Sequence, residues 1–316
     1  MADDGGSGNG MKKKLSAVIG YHLVAFATVA IWGTTFVFTK ILLHNGLSPA
    51  LIFTLRFILA YVLMLIGSLA TKRFKVFTDS WRDELLMLLL GVTGGSLYFL
   101  TENASMLYTT ATNTSLIVCT CPLFAMLLIA FAYRHTEHIS RMQAIGSLIA
   151  CVGMIVVVLN GRFVLHLSPV GDLLAFAACL CWAFYSLLMK LVLKRYDSIF
   201  ITRKVFFYGI VTIIPYYIVN PDFPSVEVLL RPEVFWNLLF LSVVASMVCY
   251  VMWNWVIAKL GAVVATNWVY FNPIVTILFA WWLLSEKITV WFLLGSVLII
   301  AGMLLSERRL FTRTDE

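Results

Sequence analysis

The sequence predicts an all-α integral membrane protein with ten transmembrane helices that form two inverted five-helix repeats. Three observations lead to this fold class. The chain is 61% hydrophobic and 12% charged, whereas soluble domains carry roughly 45–50% apolar and about 25% charged residues. Its apolar residues fall into runs of the length, about 20 residues, that crosses a bilayer. Two segments 149 residues apart have nearly the same sequence, which indicates an internal duplication.

The apolar runs define ten predicted spans, numbered here in chain order. The longest connections are 71–82 and 220–233, and Pro221, Pro224 and Pro232 prevent a continuous helix through the second of these. The other connections are short. The predicted spans cover residues 16–38, 49–70, 83–107, 110–133, 141–159, 170–192, 199–219, 234–258, 262–284 and 288–306.

Both ends of the chain lie outside the spans. Because a second start-like sequence, Met11-Lys-Lys-Lys, follows Met1–Gly10, we interpret those ten residues as an added leader. The first apolar run is long enough to span and is followed by more spans, so no cleavable signal peptide is predicted. The predicted parts are a flexible tail, the first five-helix repeat, the inverted second repeat and a cytoplasmic tail, at residues 1–14, 15–160, 161–306 and 307–316.

Basic residues are distributed unevenly between the two predicted sides of the membrane. With the N-terminus placed inside, 18 of the 23 lysines and arginines lie in the inner half and 5 in the outer half. Basic side chains collect on the cytoplasmic side of membrane proteins. We therefore expect both termini in the cytoplasm, and the net charge of +7 requires no nucleic-acid partner.

The duplication extends through both halves of the chain. Glu137-His-Ile-Ser and Gly146-Ser-Leu-Ile-Ala-Cys-Val-Gly-Met match Glu286-Lys-Ile-Thr and Gly295-Ser-Val-Leu-Ile-Ile-Ala-Gly-Met. Each half holds five spans, and an odd number makes the second copy enter the membrane from the opposite side. The repeats are then related by a two-fold axis in the membrane plane, with a binding site expected between them. Further matches pair Asn103 with Asn254, Pro122 with Pro273, Trp32 with Trp182, and Phe53-x-x-Arg56 with Phe200-x-x-Arg203.

These features resemble the drug/metabolite transporter superfamily, and within it the EamA-type transporters. The resemblance rests on the ten spans, the five-plus-five inverted repeat, the Pro…Glu…Gly…Gly pattern that ends each half, and Trp-Gly-Thr-Thr-Phe at residues 32–36. It covers residues 15–306. It implies secondary transport of small metabolites, often export of amino acids or related compounds, across the bacterial cytoplasmic membrane. It does not specify the substrate.

Two charged residues, Arg56 and Glu102, are singled out deep inside predicted spans, where charges are costly and usually functional. Glu102 is deep in the third span and has no charged neighbour in sequence. It is interpreted as a proton-coupling group or a partner of a substrate ammonium, with a neutral acid bonded to a neighbouring helix as the alternative. Arg56 in the second span pairs with Glu102, holds a substrate carboxylate, or snorkels to the interface. Its repeat mate Arg203 is interpreted as an orientation charge near the inner surface.

Amides and aromatic rings inside the spans complete the candidate site. Amides suit zwitterionic substrates, but they also join helices, at roughly 0.6–2 kcal/mol each in membranes. By resemblance to the family, spans one, three, six, eight and nine line the central cavity, so their aromatic residues are candidate walls. The candidate substrate-binding residues are Trp32, Thr35, Tyr98, Glu102, Asn103, Asn113, Trp182, Tyr185, Trp253, Asn254, Asn267 and Tyr270.

No enzyme or metal-site signature stands out. The chain has no Gly-x-Ser-x-Gly, His-Glu-x-x-His or phosphate-loop motif, and its six cysteines lie in apolar runs as packing residues. We predict no catalytic residue, metal, cofactor or nucleic-acid partner.

The prediction is a secondary transporter, and an exporter, of small organic metabolites, with amino acids or amino-acid-like amphiphiles favoured. We expect it in the bacterial cytoplasmic (inner) membrane, as a monomer or homodimer. Its expected partners are a small-molecule substrate and the lipid bilayer, and its transport is expected to be coupled to protons. The alternatives are a nucleotide-sugar or sugar-phosphate carrier, for which Arg56 is the one clear phosphate-binding candidate, and a membrane-embedded lipid-handling enzyme.

Overall fold

The computed structural model describes residues 5–70, 75–109, 111–134, 139–159, 168–284 and 289–312. Within these ranges every regular element is a helix. The fold is therefore all-α, as predicted. Side chains are described for these ranges except at residues 5–15, 112, 113, 158, 159, 280–284 and 307–312.

Ten helical segments of the described chain correspond in order to the ten predicted spans. Eight are long and apolar enough to cross a membrane, and the fifth and tenth contain the shorter apolar helices Arg141–Val157 and Val290–Ser306. Six spans are continuous helices: Gly5–His44, Pro49–Ala70, Arg141–Leu159, Pro169–Val192, Ser198–Val219 and Val290–Thr312. A short helix, Val226–Leu230, lies within the proline-containing connection, and the eighth span begins after it at Pro232.

The first helix is longer than the sequence predicted. It begins at Gly5, so the backbone of residues 5–14 is helical, although we expected a flexible tail up to residue 14. No proline lies between Gly5 and His44. Nothing in this segment therefore interrupts the hydrogen-bond ladder that the apolar first span propagates toward the N-terminus.

The third and eighth spans contain π-helical turns at equivalent positions. The third runs Trp81–Gly91, π turn Val92–Ser96, Leu97–Tyr108, and the eighth runs Pro232–Leu239, π turn Phe240–Val248, Cys249–Leu260. The repeat offset of 151 that pairs Asn103 with Asn254 also places the first π turn within the second. A π turn takes some carbonyls out of the regular ladder and is frequent at functional sites. The duplication therefore preserves a local irregularity as well as a hydropathy pattern.

The fourth and ninth spans are both broken before a proline. The fourth consists of Ala111–Val118 and Cys121–Ala132, and Pro122 stands in the first turn of its second helix. The ninth consists of Ala262–Asn267, a 3₁₀ turn at Trp268–Phe271 and Asn272–Leu284, with Pro273 in the same relative place. Proline lacks an N–H and clashes with the carbonyl four residues earlier, so each helix restarts at this point. The matched prolines of the two repeats thus lie at matched breaks in the fourth and ninth spans.

The fifth and tenth spans pack directly against each other through four glycines. A Cβ added at Gly146 would lie 2.5 Å from the Gly302 carbonyl oxygen, and one at Gly153 would lie 2.7 Å from that of Gly295. The first glycine of each helix contacts the second glycine of the other, so the two helices are antiparallel. Because Gly146 is equivalent to Gly295 and Gly153 to Gly302, the repeat relation converts one contact into the other. The two-fold axis predicted from the duplicated motif therefore passes between these helices, where only glycine permits the approach.

The outer surface and the inter-helix contacts fit a lipid environment. Large apolar side chains such as Phe131, Leu148 and Leu293 remain exposed along the spans, which is stable when the surrounding solvent is hydrocarbon. Inside, Gly91 and Gly95 lie against Gly209 of the seventh span. Gly91 and Gly95, which are four residues apart and so share one helix face, form a small-residue packing contact.

Candidate functional site

A narrow cavity of about 40 Å³ lies between the two repeats. A single water molecule needs at least about 10–15 Å³ measured in this way, so the cavity holds a few waters in the conformation described. A metabolite-sized ligand requires the surrounding helices to separate. The lining residues are Trp32, Thr35, Phe36, Arg56, Tyr98, Phe99, Glu102, Val118, Cys121, Trp182, Tyr250, Val269 and Asn272.

Many of the lining residues are repeat-equivalent pairs. The offset of 151 relates Phe99 to Tyr250, Val118 to Val269, and Cys121 to Asn272, and an offset of 150 relates Trp32 to Trp182. Spans three, four, eight and nine, each of which contains an irregular segment, contribute to the same cavity from both repeats. The cavity therefore lies on the pseudo-two-fold axis, which is where this type of fold places its substrate.

The two π turns hold aromatic side chains of the opposite repeat. Trp32 Nε1 donates to the Ala245 carbonyl at 2.9 Å, and the Tyr250 hydroxyl donates to the Gly94 carbonyl at 2.6 Å. Gly94 and Ala245 are equivalent positions in the two π turns. The irregular backbone thus supplies acceptors that fix one ring from each repeat at the cavity. Tyr250 was missed in the sequence, although its equivalence to Phe99 is visible there.

An aromatic wall surrounds the axis. The Trp32 and Trp182 rings meet edge to face with centroids 5.3 Å apart. Tyr98 lies 5.2 Å from Trp182, and Trp182 stacks on Tyr185 at 5.1 Å. Such contacts stabilise each other beyond simple burial, so the rings support one another at the cavity.

Both charged side chains predicted inside the membrane face this cavity. Glu102 is 7% exposed and accepts a hydrogen bond from the Tyr98 hydroxyl at 2.9 Å. Arg56 is 2% exposed, donates from Nε to Ser246 Oγ at 3.2 Å, and lies with its guanidinium 4.6 Å from the centre of the Phe99 ring. The cavity therefore carries one acidic and one basic group on aromatic surroundings.

Two interpretations of Arg56 are corrected by its position. Since only 2% of it is exposed, it does not snorkel to the interface. It forms no direct ion pair with Glu102 either, since none of the salt bridges within 4.0 Å among the described residues joins them. The Phe99 ring and Ser246 hold the guanidinium elsewhere, so the two charges interact only across the cavity.

Four of the predicted binding residues lie behind the cavity wall. The Tyr185 hydroxyl donates to Asn254 Oδ1 at 2.7 Å, and Asn254 Nδ2 donates to Thr202 Oγ1 at 2.9 Å. Trp253 is fully buried and packs 5.1 Å from Trp32. Asn103 is fully buried and donates to the Pro49 carbonyl at 3.1 Å. The hydrogen bonds of Tyr185, Asn254 and Asn103 join helices, since buried polar groups take a partner from the neighbouring chain.

Two further candidates join the fifth, ninth and tenth spans. Asn267 Nδ2 donates to Ser306 Oγ at 2.8 Å, and its Oδ1 accepts from Ser147 Oγ at 3.3 Å. Ser147 also lies 3.2 Å from the Tyr270 hydroxyl. These bonds place both candidates beside the glycine contact of the fifth and tenth spans. The side chain of Asn113 lies outside the described residues.

Five of the twelve candidates line the cavity: Trp32, Thr35, Tyr98, Glu102 and Trp182. Thr35 is held there by donating to the Trp32 carbonyl at 2.7 Å. The lining residues that the candidate set omitted are Phe36, Arg56, Phe99, Val118, Cys121, Tyr250, Val269 and Asn272. Six of these omitted residues form three repeat-equivalent pairs, Phe99 with Tyr250, Val118 with Val269 and Cys121 with Asn272.

At one end of the fold, polar bonds join the start of the third span to the second repeat. Asp83, 3% exposed, accepts from Arg195 Nη1 at 2.7 Å and from the Tyr196 hydroxyl at 2.8 Å. The same hydroxyl accepts from the Asp79 amide at 2.9 Å. Lys75 Nζ is 2.5 Å from Asp79 Oδ1, and this hydrogen bond holds the pKa of the Asp79 carboxyl below its ordinary value.

A second set of bonds lies beside the first. Glu84 accepts from Lys204 and from the Tyr208 hydroxyl, and Arg203 donates to the Lys75 carbonyl. Arg203 is 5% exposed. It therefore packs at this end of the fold, and its interpretation as an orientation charge stays a prediction. These contacts close one end of the interface between the repeats.

The described residues contain no group of three or more His, Cys, Asp or Glu side chains placed to bind a metal. All six cysteines are free and buried. The polar groups that line the cavity are one carboxyl group, one guanidinium, the Asn272 amide, the Cys121 thiol and hydroxyls, beside the aromatic faces.

Known proteins share this fold and sequence. A solved crystal structure superposes with a TM-score of 0.71 at 17% identity, and the match covers 91% of this chain and 98% of that one. An uncharacterized transporter of Archaeoglobus fulgidus is 29% identical over 91% of this chain and 97% of its own length. A "Probable terminal-alkyne amino-acid exporter" of Streptantibioticus cattleyicolor is 26% identical over 92% and 94%. A "Probable amino-acid metabolite efflux pump" of Escherichia coli is 26% identical over 89% and 92%.

A family model matches the chain twice, over residues 19–159 and 169–308. These two matches coincide with the two five-helix repeats. The chain belongs to the EamA-like transporter family.

Proposed function

We propose that this protein is a secondary transporter that exports amino acids or similar small amphiphiles by alternating access between its two repeats. The observation that carries the proposal is the cavity on the pseudo-two-fold axis, where an aromatic wall surrounds one carboxyl group and one guanidinium. A zwitterion with an apolar side chain matches such a surface in charge and polarity. The names of two relatives, an amino-acid exporter and an amino-acid metabolite efflux pump, point to the same class.

The cavity composition favours a carboxylate-sized anion over a phosphate ester. Arg56 is the single lysine or arginine among the residues that line it. Phosphoryl groups carry up to two negative charges and usually meet several cationic side chains or a helix N-terminus. This supports amino-acid-like substrates in preference to nucleotide sugars or sugar phosphates.

Glu102 is the candidate for proton coupling. It faces the cavity, and its hydrogen-bond partner among the described residues is the Tyr98 hydroxyl, which is neutral. A carboxyl group without a direct cationic partner can exchange a proton when the cavity opens to water, and intramembrane acids of this kind serve as proton relays in transporters.

Transport by purified protein in liposomes tests the proposal. Vesicles preloaded with one unlabelled amino acid at a time should exchange it for the labelled form in a saturable manner, faster than protein-free vesicles. Counterflow needs no gradient, so it reports substrate recognition even if coupling is lost. Absence of exchange for every proteinogenic amino acid would exclude this substrate class.

Orientation and location belong to the same proposal. We place the protein in the bacterial cytoplasmic membrane with both termini in the cytoplasm, because 18 of its 23 basic residues then lie inside. Single cysteines introduced near each end, in a background without the native cysteines, should react with a membrane-impermeant thiol reagent only after the cells are opened. Labelling of intact cells would reverse the orientation.

A further inference from the structure

We infer that Arg56 is the residue that selects substrates bearing a carboxylate, and that Ser246 positions it from the opposite repeat. The inference rests on the proposed transport function and specifies the chemical group that its site recognises. It concerns one side chain of the first repeat and one hydroxyl in the π turn of the eighth span.

The Arg56 guanidinium has unused hydrogen-bonding capacity. It offers five N–H donors, and within the described residues its hydrogen bond is the one from Nε to Ser246 Oγ. The side chain is 2% exposed and lines the cavity. Its terminal nitrogens therefore face a space without a protein acceptor. A buried cation in this state is costly, whereas a carboxylate placed there accepts two parallel bonds from the guanidinium.

The nearest acidic group does not satisfy this requirement. Glu102 lines the same cavity but accepts its hydrogen bond from Tyr98 and makes no salt bridge within 4.0 Å to Arg56 in the described chain. A ligand between the two groups can therefore present its anionic part to Arg56. Its cationic or polar part then lies toward Glu102.

The second repeat contributes no charged side chain to the cavity at the positions equivalent to Arg56 and Glu102. The repeat mate of Arg56 is Arg203, which does not line the cavity and donates to the Lys75 carbonyl at one end of the fold. The position equivalent to Glu102 is Trp253, which is fully buried. Both repeats therefore keep the arginine, but only Arg56 lines the cavity, which is the position a binding residue requires.

Two contacts position the guanidinium. The Phe99 ring lies 4.6 Å from its central carbon, within the range of a cation–π contact, which uses none of the guanidinium N–H donors as conventional hydrogen bonds. Ser246 holds Nε from the second repeat. When the repeats move against each other, this bond changes, so Ser246 links the position of Arg56 to the state of the transporter.

The test compares one amino acid with its amide and its decarboxylated amine. The wild-type protein is first screened in liposomes with the labelled proteinogenic amino acids, and the amino acid that gives the highest uptake is taken forward. Its amide and amine are used as competitors. We expect the acid to compete at least about tenfold better than either analogue, because only the acid forms the bidentate pair.

Variants assign this preference to Arg56. Arg56→Gln should lower the affinity for the acid at least about tenfold while changing that for the amide less than about threefold, and Arg56→Lys should retain part of the preference as a point charge. Ser246→Ala should raise KM for the acid and leave KM for the amide unchanged. Arg203→Gln, the repeat mate outside the cavity, is the matched control and should leave the ratio of acid to amide as in wild type. Thermal unfolding of each purified variant identifies any variant that fails to fold. If Arg56→Gln does not fold, Arg56→Lys still tests the inference.

The outcomes separate the inference from the function on which it rests. Wild-type protein that exchanges no amino acid removes the proposed function, and the inference with it. Wild-type exchange in which the amide or amine competes as well as the acid overturns the inference alone. The same conclusion follows if Arg56→Gln and Arg56→Lys fold but lose affinity for the acid and for the amide equally, because Arg56 is then a structural residue.

Discussion

The glycine contact between the fifth and tenth spans predicts that Gly302→Ala will destabilise the protein. A Cβ on Gly302 would lie 2.4 Å from the Ala150 nitrogen and 2.5 Å from the Gly146 carbonyl oxygen, whereas ordinary contacts of this kind are 3.4–4 Å. Both neighbours are backbone atoms and cannot rotate away. The two helices must therefore separate by about 1 Å to accept one methyl group.

The size of the effect follows from two opposing contributions. Overpacking of a tight interface costs about 1–3 kcal/mol, and a gap of about 1 Å forfeits a quarter to a half of the dispersion energy along the contact. Alanine is a better helix former than glycine by about 1 kcal/mol, which offsets part of the loss. Gly20 provides the matched control because it also lies within a spanning helix and its added Cβ meets nothing within 4 Å. The difference between Gly302→Ala and Gly20→Ala then isolates the steric cost.

Thermal unfolding in detergent measures this difference. The six free cysteines are buried, so their reaction with a thiol-sensitive dye reports unfolding. We expect Tm several degrees lower for Gly302→Ala than for wild type, and no lower for Gly20→Ala. The double variant with Gly146→Ala should cost less than the sum of the single changes, because one separation of the helices relieves both clashes. Equal Tm values for Gly302→Ala and Gly20→Ala would refute the assigned packing.

Three other predictions concern the cavity and the closed end. Glu102→Gln should abolish any dependence of substrate uptake on an imposed pH gradient while counterflow persists; a mutant that still follows the gradient would remove the coupling role. Tyr250→Phe deletes the donor to the Gly94 carbonyl and should destabilise by about 0.5–1.5 kcal/mol, seen as a lower Tm; an unchanged Tm would show that the freed carbonyl finds another partner. Lys204→Gln and Glu84→Gln should each lower Tm. The double variant should show a coupling energy of about 1 kcal/mol or more, since Lys204 is largely buried. If the losses of stability of the two single variants simply add, the ion pair contributes nothing.

Sequence was sufficient for the architecture because the bilayer restricts it strongly. A span must be about 20 apolar residues and must satisfy its own backbone, so counting runs predicted the ten segments. The duplicated motif predicted the axis, and the glycine pairs of the fifth and tenth spans lie on it. What the sequence did not predict were local departures from helical geometry, such as the π turns of Val92–Ser96 and Phe240–Val248. These depend on acceptors and rings brought together from the opposite repeat.

The candidate site was predicted less completely, for a reason specific to membranes. The sequence gives the depth of a residue in the bilayer, but lipid and protein interior are both apolar, so hydropathy does not show which face of a helix turns inward. Tyr98 and Glu102 face the cavity, while Tyr185 and Asn254 lie at similar depth and bond to each other behind it. Only the contacts of the neighbouring helices separate the two sets.

Under the proposed mechanism, the cavity residues that occur as repeat-equivalent pairs and the two charged residues that occur once in the cavity have different roles. Exchange of the two repeats converts one access state into the other, so a wall of equivalent residues presents a similar apolar surface to the ligand in both states. A second copy of Arg56 and Glu102 on the opposite repeat would offer an equally good second pose, related to the first by a half turn. The ligand would then reorient during every cycle, with its charges leaving their partners in a low-dielectric space. One copy of each charge avoids this cost, because the ligand keeps the same two partners while the wall around it changes from one repeat to the other.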